Sequence, residues 1–283
     1  MDVAMNSHGV HIETAGGRPV MSSLHAGWAL GGAAGAGLGA AGAALGLDGR
    51  ATVAIVAVLL GVLLAACARR LGTGSAAEGD AAAPFTLPSR GVALLAALCL
   101  LVMMTEGAMA DWSGILLRND LGASAAVAAV AYAVFTAGMT AGRLAGDALN
   151  RRVGPVALLR GGALLTAVPL ALMLVADSAP VALVSLFLVG LGVANGVPLM
   201  FSAAGRQPGT APGPGIAAVS STGSIGFLLG PPLIGFLAGA VALPWALGVL
   251  VPAAVAVGML AGRAAGPRAS ARPARGATVL GAG

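Results

Sequence analysis

GVALLAALCLLVMMTEGAMADWSGILL, residues 91–117, is an unbroken apolar run that carries one carboxylate, Glu106, well inside it and a second, Asp111, nearer its end. About 20 apolar residues cross a bilayer core as a helix, so a run of this length spans a membrane. An ionisable side chain inside such a span is costly and is tolerated where water or a partner reaches it. This stretch therefore sets two expectations, a membrane protein and a polar cavity within it. Seven further stretches have similar length and hydropathy: 22–46, 51–68, 124–142, 156–176, 181–204, 215–239 and 244–262. Short punctuation separates them, such as Asp48-Gly49-Arg50, Asp177-Ser178-Ala179-Pro180 and the Pro208–Pro214 segment.

Composition agrees with eight spans. Charged residues make up 9% of the 283 residues and AVILMFWYC residues 58%, against roughly 25% charged in ordinary soluble chains. There is too little charge to cover a surface that faces water. All 15 basic residues are Arg. Arg without Lys in a chain rich in Gly and Ala points to a GC-rich bacterial genome, and hence to a bacterial inner membrane. The high isoelectric point does not indicate nucleic acid, because the arginines lie between apolar spans. Cys67 and Cys99 are too few and too isolated for a disulfide framework or a metal site. His8, His11 and His25 lack a supporting acid or cysteine cluster, so no metal and no cofactor is expected.

Arg placement tests the parse. With alternate loops assigned to alternate sides, one side holds Arg18, Arg69, Arg70, Arg90, Arg143, Arg151, Arg152, Arg160, Arg206, Arg263, Arg268, Arg272 and Arg275; the other holds Arg50 and Arg118. Such a bias puts the Arg-rich side, with both termini, in the cytoplasm. Residues 69–90, rich in Gly, Ala, Ser and Pro, are expected to form a cytoplasmic linker between two bundles. Residues 263–283 are expected to be a disordered basic tail.

The spans differ in kind with a period of three. Spans one, four and seven are rich in small residues; from Ala26 to Gly46, 17 of 21 residues are Gly or Ala. Small residues let membrane helices approach closely. Spans two, five and eight are plain Leu, Val and Ala, suited to lipid. Spans three and six hold the polar residues, Glu106 and Asp111 in one and Asn195 in the other. A packing, lipid, cavity order repeated every three helices is what inverted repeats in transporters produce.

The segment after span four reads Gly142-Arg143-Leu144-Ala145-Gly146-Asp147-Ala148-Leu149-Asn150-Arg151-Arg152-Val153-Gly154. It resembles the cytoplasmic signature loop of the major facilitator superfamily, with one extra residue between Leu144 and Asp147. Gly226-Phe227-Leu228-Leu229-Gly230-Pro231-Pro232-Leu233-Ile234-Gly235 resembles helix eleven of that family. Glu106-Gly107-Ala108-Met109-Ala110-Asp111-Trp112 resembles helix seven of a branch related to sugar:proton symporters. Asp2-Val3-Ala4-Met5-Asn6 is similar to the end of helix four in the fucose-transporter-like branch. The resemblance implies an all-α integral membrane fold whose eight spans correspond to helices five to twelve. Residues 1–68 would then be a two-span remnant of the N-terminal bundle, and 91–262 the six-helix C-terminal bundle. Helices one to three and most of four have no counterpart, so a missing N-terminal segment is expected as a partner.

The same resemblance orders the candidate residues. Glu106, Asp111, Trp112, Asn195, Asp2 and Asn6 are expected at a solute and proton cavity. A carboxyl that passes between dry and wet surroundings can take up and release a proton. Glu106 is alternatively a structural acid, Trp112 an interfacial anchor, and Asn195 a helix–helix hydrogen-bonder at a point where span six unwinds beside Gly196 and Pro198. Gly142, Arg143, Asp147, Arg151, Arg152 and Gly154 are expected to form a gating loop. There Arg143 and Asp147, at i and i+4, can pair, or Asp147 can meet a helix N-terminus across the bundle interface. Gly230, Pro231, Pro232 and Gly235 are expected to serve helix packing. The function expected is secondary transport of a small solute, with a sugar-like solute in view, coupled to protons as a symporter. The alternatives are a truncated remnant without transport, and an integral membrane transferase. A transferase would need clustered acids or a His–acid pair, and the acids here are dispersed, so no catalytic residue is assigned.

Overall fold

The computed structural model describes residues 2–68, 89–208 and 210–265. Among these residues the chain is helical throughout: α1 (Asp2–Gly16), α2 (Met21–Ala44), α3 (Gly49–Ala68), α4 (Arg90–Ile115), α5 (Ala125–Ala129), α6 (Ala131–Val153), α7 (Pro155–Val175), α8 (Ala179–Val193), α9 (Gly196–Ala204), α10 (Pro212–Ala238), α11 (Leu243–Leu247) and α12 (Leu250–Ala265). A π-helical turn, Leu116–Asp120, extends α4. α5–α6, α8–α9 and α11–α12 each make one interrupted span. Seven helical stretches are long and apolar enough to cross a membrane. α2 has the length of an eighth, and its glycines lower its hydropathy. The protein is an all-α membrane protein of about eight spanning helices, as the apolar runs predict. The expected linker and basic tail lie almost entirely outside the described residues.

Three expectations about element ends change. Span four does not stop at residue 142. Its helix runs on to Val153, so the signature segment is helix and not loop. It ends where Gly154 takes φ +80°, a conformation that needs glycine, and donates its N–H to the Asn150 carbonyl. The stub at the N-terminus is longer than Asp2–Asn6: α1 continues to Gly16. Span eight continues to Ala265, past the start of the expected tail.

The core of the body built from α4–α12 forms where backbones meet through glycine. Proline lacks an N–H, so Pro231 leaves the Phe227 carbonyl of α10 without its helical partner. That carbonyl rests against Gly107 of α4, where a Cβ would collide with it. Gly230 lies against the Met104 backbone, and Gly235 against the Trp112 ring. α6 and α8 cross reciprocally, Gly138 on the Phe187 carbonyl and Gly190 on the Phe135 carbonyl. Spans three and six are the most buried, each 61%, which fits their cavity-type composition. Span one is packed less closely than the other small-residue spans. Gly27, Gly31, Gly32, Gly35, Gly37 and Gly39 of α2 have nothing within 4 Å of where a Cβ would stand, so that face is open and the closest packing uses glycines of spans three to seven. α3 buries none of its residues.

Candidate functional site

The break in span six explains the site. Pro198 lacks an N–H, which leaves the Ala194 carbonyl unbonded within the helix, and the chain turns at Ala194–Asn195 between α8 and α9. Arg143 of α6 donates from Nε to that carbonyl at 3.3 Å. Asn195 replies across the same gap, donating from Nδ2 to the Gly142 carbonyl at 3.0 Å. The interruption is thus stapled to α6 by two hydrogen bonds of opposite direction. Asn195 Oδ1 is buried with no hydrogen-bond partner. It lies against Gly146, where a Cβ would collide with it and come within 2.7 Å of Ser22 of α2. Gly146 is therefore the point at which α2, α6 and the break converge.

Arg143 also faces Glu106 of α4, with Nη2 4.0 Å from Oε2. Both side chains are largely buried, 8% and 16% exposed. They bring opposite charges together inside the membrane-spanning body, where each offsets part of the other's desolvation. Beside them, a cavity of about 310 Å³ runs between α4, α6, α7, α8 and α12, lined mainly by apolar residues with Thr105, Thr166 and Asn195 among them.

The expected i, i+4 pairing of Arg143 with Asp147 does not form. Asp147 meets the N-terminus of α2: Oδ1 accepts from the Ser22 N–H at 3.1 Å, and Oδ2 from the Ser23 N–H at 2.9 Å and from the Ser23 hydroxyl. A second carboxylate completes the cap. Glu13 of α1 accepts through Oε1 from the Val20 and Met21 N–H groups at 2.9 and 3.0 Å. Its Oε2 pairs with Arg206, after α9, at 3.1 Å. The four N–H groups that open a helix have no intrahelical partner and carry the positive end of its dipole. Here two carboxylates share all four, one from α1 and one from α6.

The remaining candidates divide. Asp111 is exposed. Trp112 is half-buried, its indole N–H donating to the Pro231 carbonyl at 3.0 Å, so it joins α4 to α10. Asn6 is buried, its Oδ1 3.0 Å from His25 Nε2, and is tied to α2 rather than to Glu106. Asp2 begins α1. Arg151 and Arg152 are exposed in the last turn of α6, where cations complement the dipole. Sequence reasoning passed over Glu13, Arg206 and Ser22-Ser23. Two serines after Arg18-Pro19 are a recognisable helix start; no spacing rule connects them to Glu13 or to Arg206.

A model of the Major Facilitator Superfamily matches residues 19–213 and, in an overlapping placement, 97–279. An uncharacterised MFS-type transporter of Yersinia pestis is 36% identical over 84% of this chain and 62% of its own length. An uncharacterised transporter of Sinorhizobium fredii is 31% identical over 84% and 63%. The membrane protein MosC of Rhizobium meliloti is 32% identical over 91% and 63%. The chain thus spans somewhat under two thirds of the length of the curated relatives it matches. No solved structure matches it.

Proposed function

Because this chain belongs to the major facilitator superfamily, a family of transporters and not of enzymes, we propose that it works in alternating-access transport of a small solute coupled to protons. The observation that carries the reading is the Glu106–Arg143 pair. When Glu106 is charged it holds Arg143 by attraction. When it is protonated that attraction goes, and Arg143 keeps only the Ala194 carbonyl. A proton on Glu106 therefore changes the force across α4, α6 and the break in span six. The solute class favoured is sugar-like, and the direction of coupling is symport.

The capped N-terminus of α2 is the gate in this reading. Asp147 and Glu13 hold α2 against α6, and Glu13–Arg206 adds a tie from α1 to the segment after α9. With these contacts made, that end of the protein, assigned to the cytoplasm of a bacterial inner membrane, is shut. Arg151, Arg152 and Gly154 end the gating helix. The open glycine face of α2 favours docking of further helices of the same fold, which would complete the first bundle and its share of the cavity with Asp2 and Asn6.

Proton movement tests the proposal. Membrane vesicles containing the complete transporter are given a panel of monosaccharides, amino sugars and polyols, and lumenal pH is followed with a dye. The wild type is expected to move protons with at least one solute. Glu106→Gln is expected to lose that proton movement while still inserting and still exchanging solute for solute. Unchanged solute-driven proton movement in Glu106→Gln would return this residue to a structural role.

A further inference from the structure

α7 and α12 cross antiparallel, Ala163 against Gly258 and Arg160 against Gly262. Gly262 has no side chain, so Arg160 lies across α12; a Cβ there would stand 3.1 Å from its Nη2. The next residue, Arg263, is in the last turn of α12. Both arginines are exposed and line one open crevice of about 510 Å³ with Ala256, Met259, Leu260 and Gly262. Among the described residues neither arginine has a carboxylate within ion-pair distance or a hydrogen-bond acceptor. Two guanidinium groups thus share a site with no anion supplied by the described residues.

The surface leading away from them is apolar. On α7, one and two turns from Arg160, stand Leu164 and Val168; on α12, one and two turns back from Arg263, stand Met259 and Val255. These four are 45% to 73% exposed. The polar end lies near the start of α7 and the end of α12, where spanning helices meet headgroups, and the apolar track runs from it toward the middle of both helices. A guanidinium presents forked donors that fit phosphate oxygens, and basic pockets between spanning helices suit anionic headgroups. A free phosphate would satisfy the arginines and leave the track unused.

We propose that the α7–α12 crevice binds an anionic phospholipid, its phosphodiester between Arg160 and Arg263 and an acyl chain along Leu164, Val168, Val255 and Met259. This site is separate from the solute cavity and rests on the membrane fold alone.

The test uses the intact chain in detergent and native mass spectrometry. Phosphatidylglycerol is expected to stay bound several-fold more than phosphatidylcholine at equal concentration. Arg160→Gln/Arg263→Gln is expected to bring the two lipids level, and Arg18→Gln/Arg90→Gln to keep the preference. A second measurement needs no substitution. Phosphatidylglycerol with a photoactivated group on its acyl chain is expected to label peptides covering 160–172 and 255–263 above the rest of the wild-type chain. Equal retention of the two lipids by the wild type, or labelling spread evenly over all lipid-facing helices, overturns the proposal. Displacement of phosphatidylglycerol by millimolar inorganic phosphate would identify a free-phosphate site instead, and overturns it equally.

Discussion

Arg143 is tied to two elements at once, through a carboxylate on α4 and a backbone carbonyl at the break between α8 and α9. The sequence suggested a nearer partner, Asp147, one turn along the same helix. That expectation rested on i, i+4 spacing along one helix face, where neighbouring charges on a solvated surface pair. In the fold the segment is helix and both side chains are almost fully buried, so each goes to the element pressed against it. The acid that Arg143 faces, 37 positions away, was legible as an intramembrane carboxylate but not as a partner, because no spacing rule links residues on different spans. The pairing has a thermodynamic signature. Removing one partner of a buried pair leaves an uncompensated charge and costs about 3–5 kcal/mol. Arg143→Ala is therefore expected to lower thermal stability in detergent strongly. Arg143→Ala/Glu106→Gln is expected to recover part of the loss, because the stranded carboxylate is gone. Strictly additive effects in that double-mutant cycle would show that the two charges do not interact.

Among the elements, α2 shows most clearly what could and could not be read from the sequence. Its length and its Gly–Ala content were plain, and close helix packing followed from them; the described residues cover only part of its small face. Asp147 was legible as an acid able to meet a helix N-terminus across the bundle interface, whereas the identity of that helix as α2, and the second cap from Glu13 of α1, could be found only once the helices were in place. Span six was more legible, because Pro198 must free a carbonyl four residues earlier, and the unwinding falls there. The cap of α2 yields the next expectation. A carboxylate at a helix N-terminus contributes about 1 kcal/mol, enough to shift a balanced pair of states about five-fold. Asp147→Asn keeps the shape and loses the charge. It is expected to favour the state open on the Arg-rich side, read as faster modification of a cysteine placed at Thr105 by a reagent added on that side. Unchanged modification would mean that Asp147 does not bias the equilibrium.

At the scale of the whole molecule, what remains to be fixed is which end faces which compartment. Three contacts show that loops assigned to one side do meet. Asp147 near the end of α6 reaches Ser22 and Ser23 at the start of α2, Glu13 near the end of α1 reaches Val20 and Met21, and the same Glu13 pairs with Arg206 beyond α9. At the far ends, Arg118 closes its own turn on the Ala123 carbonyl and Asp48 caps α3 through the Ala51 N–H. These contacts bring the segments bearing Arg18, Arg151, Arg152 and Arg206 to one end of the body, as the alternation assigns them. One assignment changes, because Arg143 is inside the body and not in a loop, leaving twelve arginines against two. A two-fold or three-fold excess would leave orientation open, but this one strongly favours retention of the Arg-rich loops in the cytoplasm. Between Arg118 and Gly281 the chain crosses five times, through α5–α6, α7, α8–α9, α10 and α11–α12. An odd number of crossings puts the two points on opposite sides. A reporter active only in the cytoplasm is expected to be silent when fused after Arg118 and active after Gly281, and a reporter active only outside to give the reverse. Activity of one reporter at both positions would mean that one of the interrupted helices turns back within the membrane instead of crossing it, and the assignment of the α2 cap to the cytoplasmic face would fall with it.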